Sequence, residues 1–358
     1  MRSRGAIEGL WVGLAATALA VTLTYPVAFN IDRLGRVNTD DGRWSIWVVS
    51  WVAHALTTTP LRVYDANIFY PHRDTLAFSE ANLGAGALGV PVWLATRNPY
   101  TTHNVVFLAS FVIAFAGTYY LTRYLSSSRP AASLAGVLFA FCPFMFARTA
   151  HVQLLFIGML PWCMLAFHRL VDGPTVTRSV VLGLLLWATA LTCAYYGIFA
   201  ALMVGLGTVV YALSRSLWRS RDYWIAIALA AFISVALTLP FFLPYLSVQD
   251  TGGFVRTLDD AREYAANLGA WGASAAWAHR WWLPALGPFN EVLFPGLLTL
   301  TLGLGGAVVM LRRARDTAVL YLLIVRAGVD IFGLLIGRSV LVVNITAFSI
   351  YLSTRKGG

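Results

Sequence analysis

A chain of 358 residues with 58% hydrophobic and only 12% charged residues is too apolar for an ordinary soluble domain, where about a quarter of residues are charged. The net charge of +10 is nearly all arginine, Lys356 being the single lysine; in so apolar a chain this points to positive loops at a membrane surface rather than to nucleic acid. Apolar runs close to the roughly 20 residues that cross a bilayer recur from end to end and none alternates as a barrel strand does, so the fold class is all-α, a polytopic transmembrane helical bundle.

Residues 1–30 hold a short basic head, Arg2 and Arg4, and an apolar run from Ile7 to Phe29. The run is longer than a signal-peptide core of about 7–15 residues and ends without a small-residue cleavage site. It reads as an uncleaved first span with a cytoplasmic N-terminus. Residues 31–104 form a large loop. Within it Arg43 to Ala55 has a helical pattern but is too short to cross, and Asn67 to Pro71 is an aromatic turn suited to an interface. Gly84 to Ala95 is apolar but interrupted by Gly84, Gly86, Gly89 and Pro91.

Whether Gly84–Ala95 crosses decides the topology. If it does not, Arg123, Arg129, Arg169, Arg178, Arg215, Arg219 and Arg221 join Arg2, Arg4, Arg312, Arg313 and Arg315 on the cytoplasmic side, and every short loop obeys the positive-inside rule. The segment is therefore expected to be interfacial or re-entrant, its backbone shielded by protein or water. Spans are then expected at 7–29, 105–123, 131–147, 153–169, 179–194, 197–213, 224–246, 292–311 and 317–337, with a short tenth at 339–353. Six of them form a core over 105–247, 248–291 is a second outer loop, and 292–358 holds the C-terminal spans.

On this topology the acids collect outside. Asp32, Asp40, Asp41, Asp65, Asp74 and Glu80 fall in the first outer loop, and Asp250, Asp259, Asp260, Glu263 and Glu291 in the second. In the second loop Thr257 opens an acidic helix start as N-cap, and Trp271, Trp277, Trp281 and Trp282 mark an interface-seated segment. Cys142, Cys163 and Cys193 lie in apolar segments and read as core residues rather than disulfides or metal ligands. Arg326 and Asp330, four apart, read as an ion pair on one helix face.

The adjacent carboxylates Asp40 and Asp41 precede the aromatic run Trp44, Trp47 and Trp51. Carboxylates at an outer membrane edge suit transfer of a sugar from a lipid-phosphate donor to an extracytoplasmic acceptor, because the acceptor hydroxyl needs a base and the departing phosphate needs cations. Arg43, Arg62, Arg73 or Arg256 could supply the charge. Arg256 and Arg262 near Asp259, and His279–Arg280 among tryptophans, would complete the grip from the second loop at the depth where phosphate and acyl chain join. The bland alternative for Asp40–Asp41 is a solvated turn that caps the following helix. For His151 it is a polar residue at a helix end.

The order of features resembles the GT-C glycosyltransferases, polytopic enzymes that use polyprenyl-phosphate-linked sugars, and most of all their poorly characterised bacterial branch. The residues that carry the likeness are Asp40–Asp41 after the first span, Trp47 to His54, Tyr70–Pro71 to Leu76-Ala77-Phe78-Ser79, Asn98–Pro99 to Asn104, and Gly136 to Pro143. His151 to Leu154, Tyr195-Tyr196-Gly197 and Glu291 to Gly296 continue it, so that it covers most of residues 1–310. It implies a bacterial plasma-membrane glycosyltransferase with a catalytic carboxylate at Asp41 or Asp40; the residues themselves, apart from the resemblance, point to a donor held by Arg256, Arg280, Arg43 and His151. The implied partners are membrane lipids, a polyprenyl-phosphate-linked sugar and an acceptor of unspecified chemistry. No organic cofactor is implied, and Asp40–Asp41 suits either the presence or the absence of a divalent cation. Two features depart from the family: the chain stops soon after its ninth span, and Val325 to Gly358 reads poorly, with Arg338 dividing an apolar run. An incomplete or altered C-terminus is the expectation. A transporter or flippase of lipid-linked sugars is the competing class, against which stand the polar residues gathered at one interface and the lack of repeated halves. A non-catalytic membrane assembly protein is the third.

Overall fold

The computed structural model describes residues 2–36, 39–252, 266–289 and 291–335. All regular structure among them is helical, and the helix boundaries follow local chemistry. Helix α1 (Arg2–Leu23) stops ahead of Pro26, and α2 (Asp40–Thr58) ahead of Pro60, as expected where a proline forces its predecessor out of the helical region. Helix α3 (Leu83–Thr96) ends at Arg97 in the left-handed region. Helix α4 (Pro99–Ser126) begins with Asn98 accepting the Thr101 N–H at 3.0 Å and proline in the first turn, a start that satisfies one orphan donor and needs no N–H from the next residue. Helix α5 (Arg129–Ala140) repeats that device with Ser128 and Pro130.

The chain continues through α6 (Pro143–Ala147), α7 (Val152–Leu155), α8 (Met159–Val171), α9 (Val176–Thr192), α10 (Ala194–Ser214) and α11 (Arg221–Gly252). A second compact unit, beginning at Val255, contains α12 (Leu268–Gly272), α13 (Leu297–Arg313) and α14 (Arg315–Leu335). Within it α13 and α14 pack together as a hairpin. The Asn267 side chain caps α12 by accepting the Ala270 N–H.

Among the described residues six segments are long and apolar enough to cross a membrane: 5–23, 99–126, 129–147, 152–171, 194–214 and 221–249. Of the further spans expected from sequence, two are helices that fall short of that length. Helices α9 and α13 are each 17 residues long. A third, helix α14, is 21 residues long, and its side chains from residue 328 on lie outside the described residues. The tenth segment, 339–353, and the Asp330 side chain of the expected Arg326–Asp330 pair lie outside the described residues.

In the first unit α4 is the central helix, packed against α1, α2, α3, α5 and α8. Phe107, Phe111, Phe115 and Tyr119 on α4 are almost wholly buried with Val12, Ala16 and Ala20 of α1. A second cluster joins Val48, Val49 and Val52 of α2 to Leu76, Ala85 and Val106. Cys163 and Cys193 are buried, Cys142 is half-buried, and all three are free thiols.

The contacts separate two ends of this unit. At one, Glu8 accepts from Arg129 at 2.7 Å and lies 3.5 Å from Arg123, while Asp172 accepts from Arg215 and Tyr124 at 2.7 and 2.5 Å. At the other, the start of α2 meets the segment before α7 through Ser45 Oγ donating to the Ala150 carbonyl at 2.6 Å. Ser50 reaches the Pro99 carbonyl at the start of α4. Helix α3 begins where Gly84 abuts Thr192 at the end of α9 and finishes beside α4's first turn, where Asn98 Nδ2 donates to the Asp32 carbonyl. Both ends of α3 thus lie at the acidic end. Its 14 residues extend only about 21 Å at 1.5 Å per residue, less than the ~30 Å apolar thickness of a bilayer.

Candidate functional site

The first turn of α2 carries the acids. Thr39, in extended conformation, is the N-cap and its hydroxyl accepts the Gly42 N–H at 3.2 Å. Asp40 and Asp41 are therefore first-turn residues and not the cap, which corrects the bland sequence reading. A threonine cap followed by two carboxylates is a favourable helix start, since the exposed N–H groups and helix dipole attract negative charge.

The two acids differ in their surroundings. Asp40 Oδ1 lies 3.3 Å from Arg43 Nη1 in a pair exposed to solvent on both sides. Asp41 Oδ2 lies 3.4 Å from His151 Nε2, with the imidazole more than half shielded. The placement of His151 depends on Ser45, which donates to the Ala150 carbonyl and accepts from the Val152 N–H at 3.5 Å. Asp40, Asp41, Arg43 and His151, four of the six side chains singled out from sequence, thus come together. Arg280 belongs to the second unit, where its guanidinium lies 5.0 Å from the Trp277 ring centroid. Arg256, Arg262 and the helix start at Thr257 lie outside the described residues.

Below the acids, Trp44, Trp47 and Trp51 form a ladder along α2 with centroid separations of 4.7 and 6.2 Å. Trp51 Nε1 donates to the Val63 carbonyl at 3.0 Å, and His54 sits between Trp51 and Trp93. The i, i+3 and i+4 spacing puts all of them on one face. A carboxylate–imidazole pair above an amphipathic aromatic stripe can hold a polar, hydrogen-bonding group while a hydrophobic chain lies on the tryptophans. Among the described residues no group of three or more His, Cys, Asp or Glu gathers, so a cation at Asp40–Asp41 would take its other ligands from substrate or water.

Sequence reasoning passed over Glu80. Its Oε1 accepts the Ala194 N–H at 2.6 Å, tying the first loop to the start of α10. Its Oε2 is enclosed beside the Cys193 thiol without an oxygen or nitrogen donor. Burial pushes the carboxyl above the usual glutamate range, and the Ala194 N–H only partly offsets this. Next to it Asn82 is 3% exposed with Oδ1 unpartnered, and Tyr245 Oη accepts the Ala81 N–H at 3.0 Å. Nearby, burial and then Asp65 raise the Asp74 carboxyl, whose backbone N–H donates to Asp65 Oδ1. The one sequence hint was a carboxylate directly before the apolar run that becomes α3; its partner is 114 positions away.

Six helices of membrane-crossing length and apolarity among the described residues place the chain among multi-pass helical membrane proteins. Comparison with known proteins gives no matching family model, no matching curated protein and no matching solved structure.

Proposed function

We propose that the protein is a membrane glycosyltransferase that moves a sugar from a polyprenyl-phosphate-linked donor to an acceptor hydroxyl on the extracytoplasmic side of a bacterial plasma membrane. The observation that carries this reading is the approach of Asp41 to His151, 3.4 Å apart from segments 110 positions distant, at the edge of a tryptophan-lined helix. In the reaction Asp41 takes the proton of the acceptor hydroxyl as its oxygen bonds to the anomeric carbon. The bond from that carbon to the phosphate oxygen breaks, and its electrons leave with the polyprenyl phosphate. His151 orients the carboxylate and, when protonated, offers positive charge to the phosphate. Arg43 serves the same phosphate. Its present partner Asp40 is fully exposed, and an ion pair in solvent holds its members weakly.

The topology that accompanies this reading has the acidic end outside and the arginine end in the cytoplasm. It is supported by the segregation of Arg123, Arg129 and Arg215 to one end and by the return of α3 to the end where it began. The test is transfer of labelled sugar from a panel of polyprenyl-phosphate hexoses in membranes. Asp41→Asn preserves size and hydrogen bonding but removes proton acceptance, so turnover should fall about 10²-fold or more at unchanged expression. Full activity in both Asp40→Asn and Asp41→Asn would leave the acids with a structural part only.

A further inference from the structure

At the end of the first unit opposite the acids, a groove runs between α8 and α9. Trp162, Leu165 and Ala166 of α8 and Val181 and Leu185 of α9 line it, and Arg169, Thr177 and Arg178 also border it. On each helix the cation and the lining apolar residue farthest from it along the chain are seven positions apart, Arg169 to Trp162 and Arg178 to Leu185. Seven residues of helix rise about 10 Å, so the groove is charged at one end and apolar over the rest of its length.

The arginines here differ from their neighbours. Arg123 and Arg129 are met by Glu8, and Arg215 by Asp172. Among the described residues Arg169 and Arg178 have no carboxylate partner. Arg169 lies 5.8 Å from the Tyr124 ring centroid. Arg178 donates through Nη1 to the Arg169 and Gly173 carbonyls at 2.8 and 2.6 Å, so its guanidinium is fixed at the C-terminal end of α8. The nearby carboxylate, Asp172, is taken up by Arg215 and Tyr124.

We propose that this groove is a binding site for one anionic phospholipid, with the phosphodiester at Arg169, Arg178 and the Thr177 hydroxyl and an acyl chain along Trp162, Leu165, Val181 and Leu185. Two cations without a carboxylate partner at the head of an apolar channel complement an amphiphile with net negative charge. The cationic group of a zwitterionic headgroup would be repelled by the same arginines. Arg can hold a phosphate with paired hydrogen bonds while its stem lies on apolar surface. This site is separate from the acidic end and does not depend on sugar transfer.

The experiment is native mass spectrometry of the full chain in non-ionic detergent, titrated with dioleoylphosphatidylglycerol or dioleoylphosphatidylcholine. The wild type should retain one phosphatidylglycerol in preference to phosphatidylcholine. Arg169→Gln, which disturbs only the Tyr124 contact, should weaken retention about tenfold, the loss of a charge-assisted contact. Val181→Trp keeps both charges, fills the groove and should reduce retention as well. Because Arg178 also holds the end of α8, its variant is not needed. Equal retention of the two lipids, unchanged retention in both variants, or displacement of the lipid by millimolar inorganic phosphate would overturn the proposal.

Discussion

Asp40 and Asp41 are neighbours in sequence, yet the helix points them at different partners. Successive helical residues are about 100° apart, so Asp40 meets Arg43, one turn further along its own helix, while Asp41 faces His151 across the gap to the next element. That division makes Asp41 the one with an imidazole to orient it. Glu80 shows the opposite environment, a carboxyl withdrawn from water. Burial raises its pKa, so the folded protein holds the proton more tightly than the unfolded chain. Its stabilising contribution is then complete below the ordinary glutamate range and is lost as pH rises through the raised value. Glu80→Gln retains an acceptor for the Ala194 N–H and does not ionise. Wild type should therefore lose stability relative to this variant as pH rises above the ordinary glutamate range, measured as thermal midpoints in detergent. A difference independent of pH would mean that Glu80 titrates alike in the folded and unfolded chain.

Among the elements, α3 depends most on its small residues. A Cβ at Gly84 would run into Thr192 and one at Gly86 into Val52, so these glycines set how closely α3 lies against α9 and α2. The close approach brings Trp93 to His54, with ring centroids 5.9 Å apart. Gly86→Ala should cost about 1–3 kcal/mol, the usual range for overpacking a fitted interface. Val52→Ala in the same chain should recover part of the loss, because it removes Cγ1, one of the two Val52 atoms that collide, while Cβ stays. Strict additivity of the two changes in thermal unfolding would show that they do not share a contact.

For the whole molecule, the distribution of charge makes the orientation testable. With Ser127→Cys at the arginine end and Asn67→Cys at the acidic end, in a background without native thiols, an impermeant maleimide added to intact cells should label the second and spare the first. The reverse pattern would place the arginines outside, against the positive-inside rule.

Much of this was legible in the linear chain, for physical reasons. Helical class and membrane residence follow from composition and run length, because backbone in lipid has to satisfy its own hydrogen bonds and apolar length scales with bilayer thickness. The starts of α2, α4 and α5 were written in short-range chemistry, a capping side chain followed by acids or a proline. Even so, the cap of α2 proved to be Thr39 rather than an aspartate, since which oxygen reaches an N–H depends on backbone angles. Span number was less legible: α9 and α13, each 17 residues long, show that a pattern tolerates lengths whose use only packing decides. Both the Asp41–His151 pair and the Glu80–Ala194 bond join residues more than a hundred positions apart. So does the tie from Ser45 to Ala150. Local preference carries no information about such pairs; they exist because α2, α3 and α4 pack around shared apolar faces and bring distant polar groups to one end. Composition and local pattern therefore determined what kind of protein this is, and tertiary packing alone decided which acid meets the histidine and which is buried.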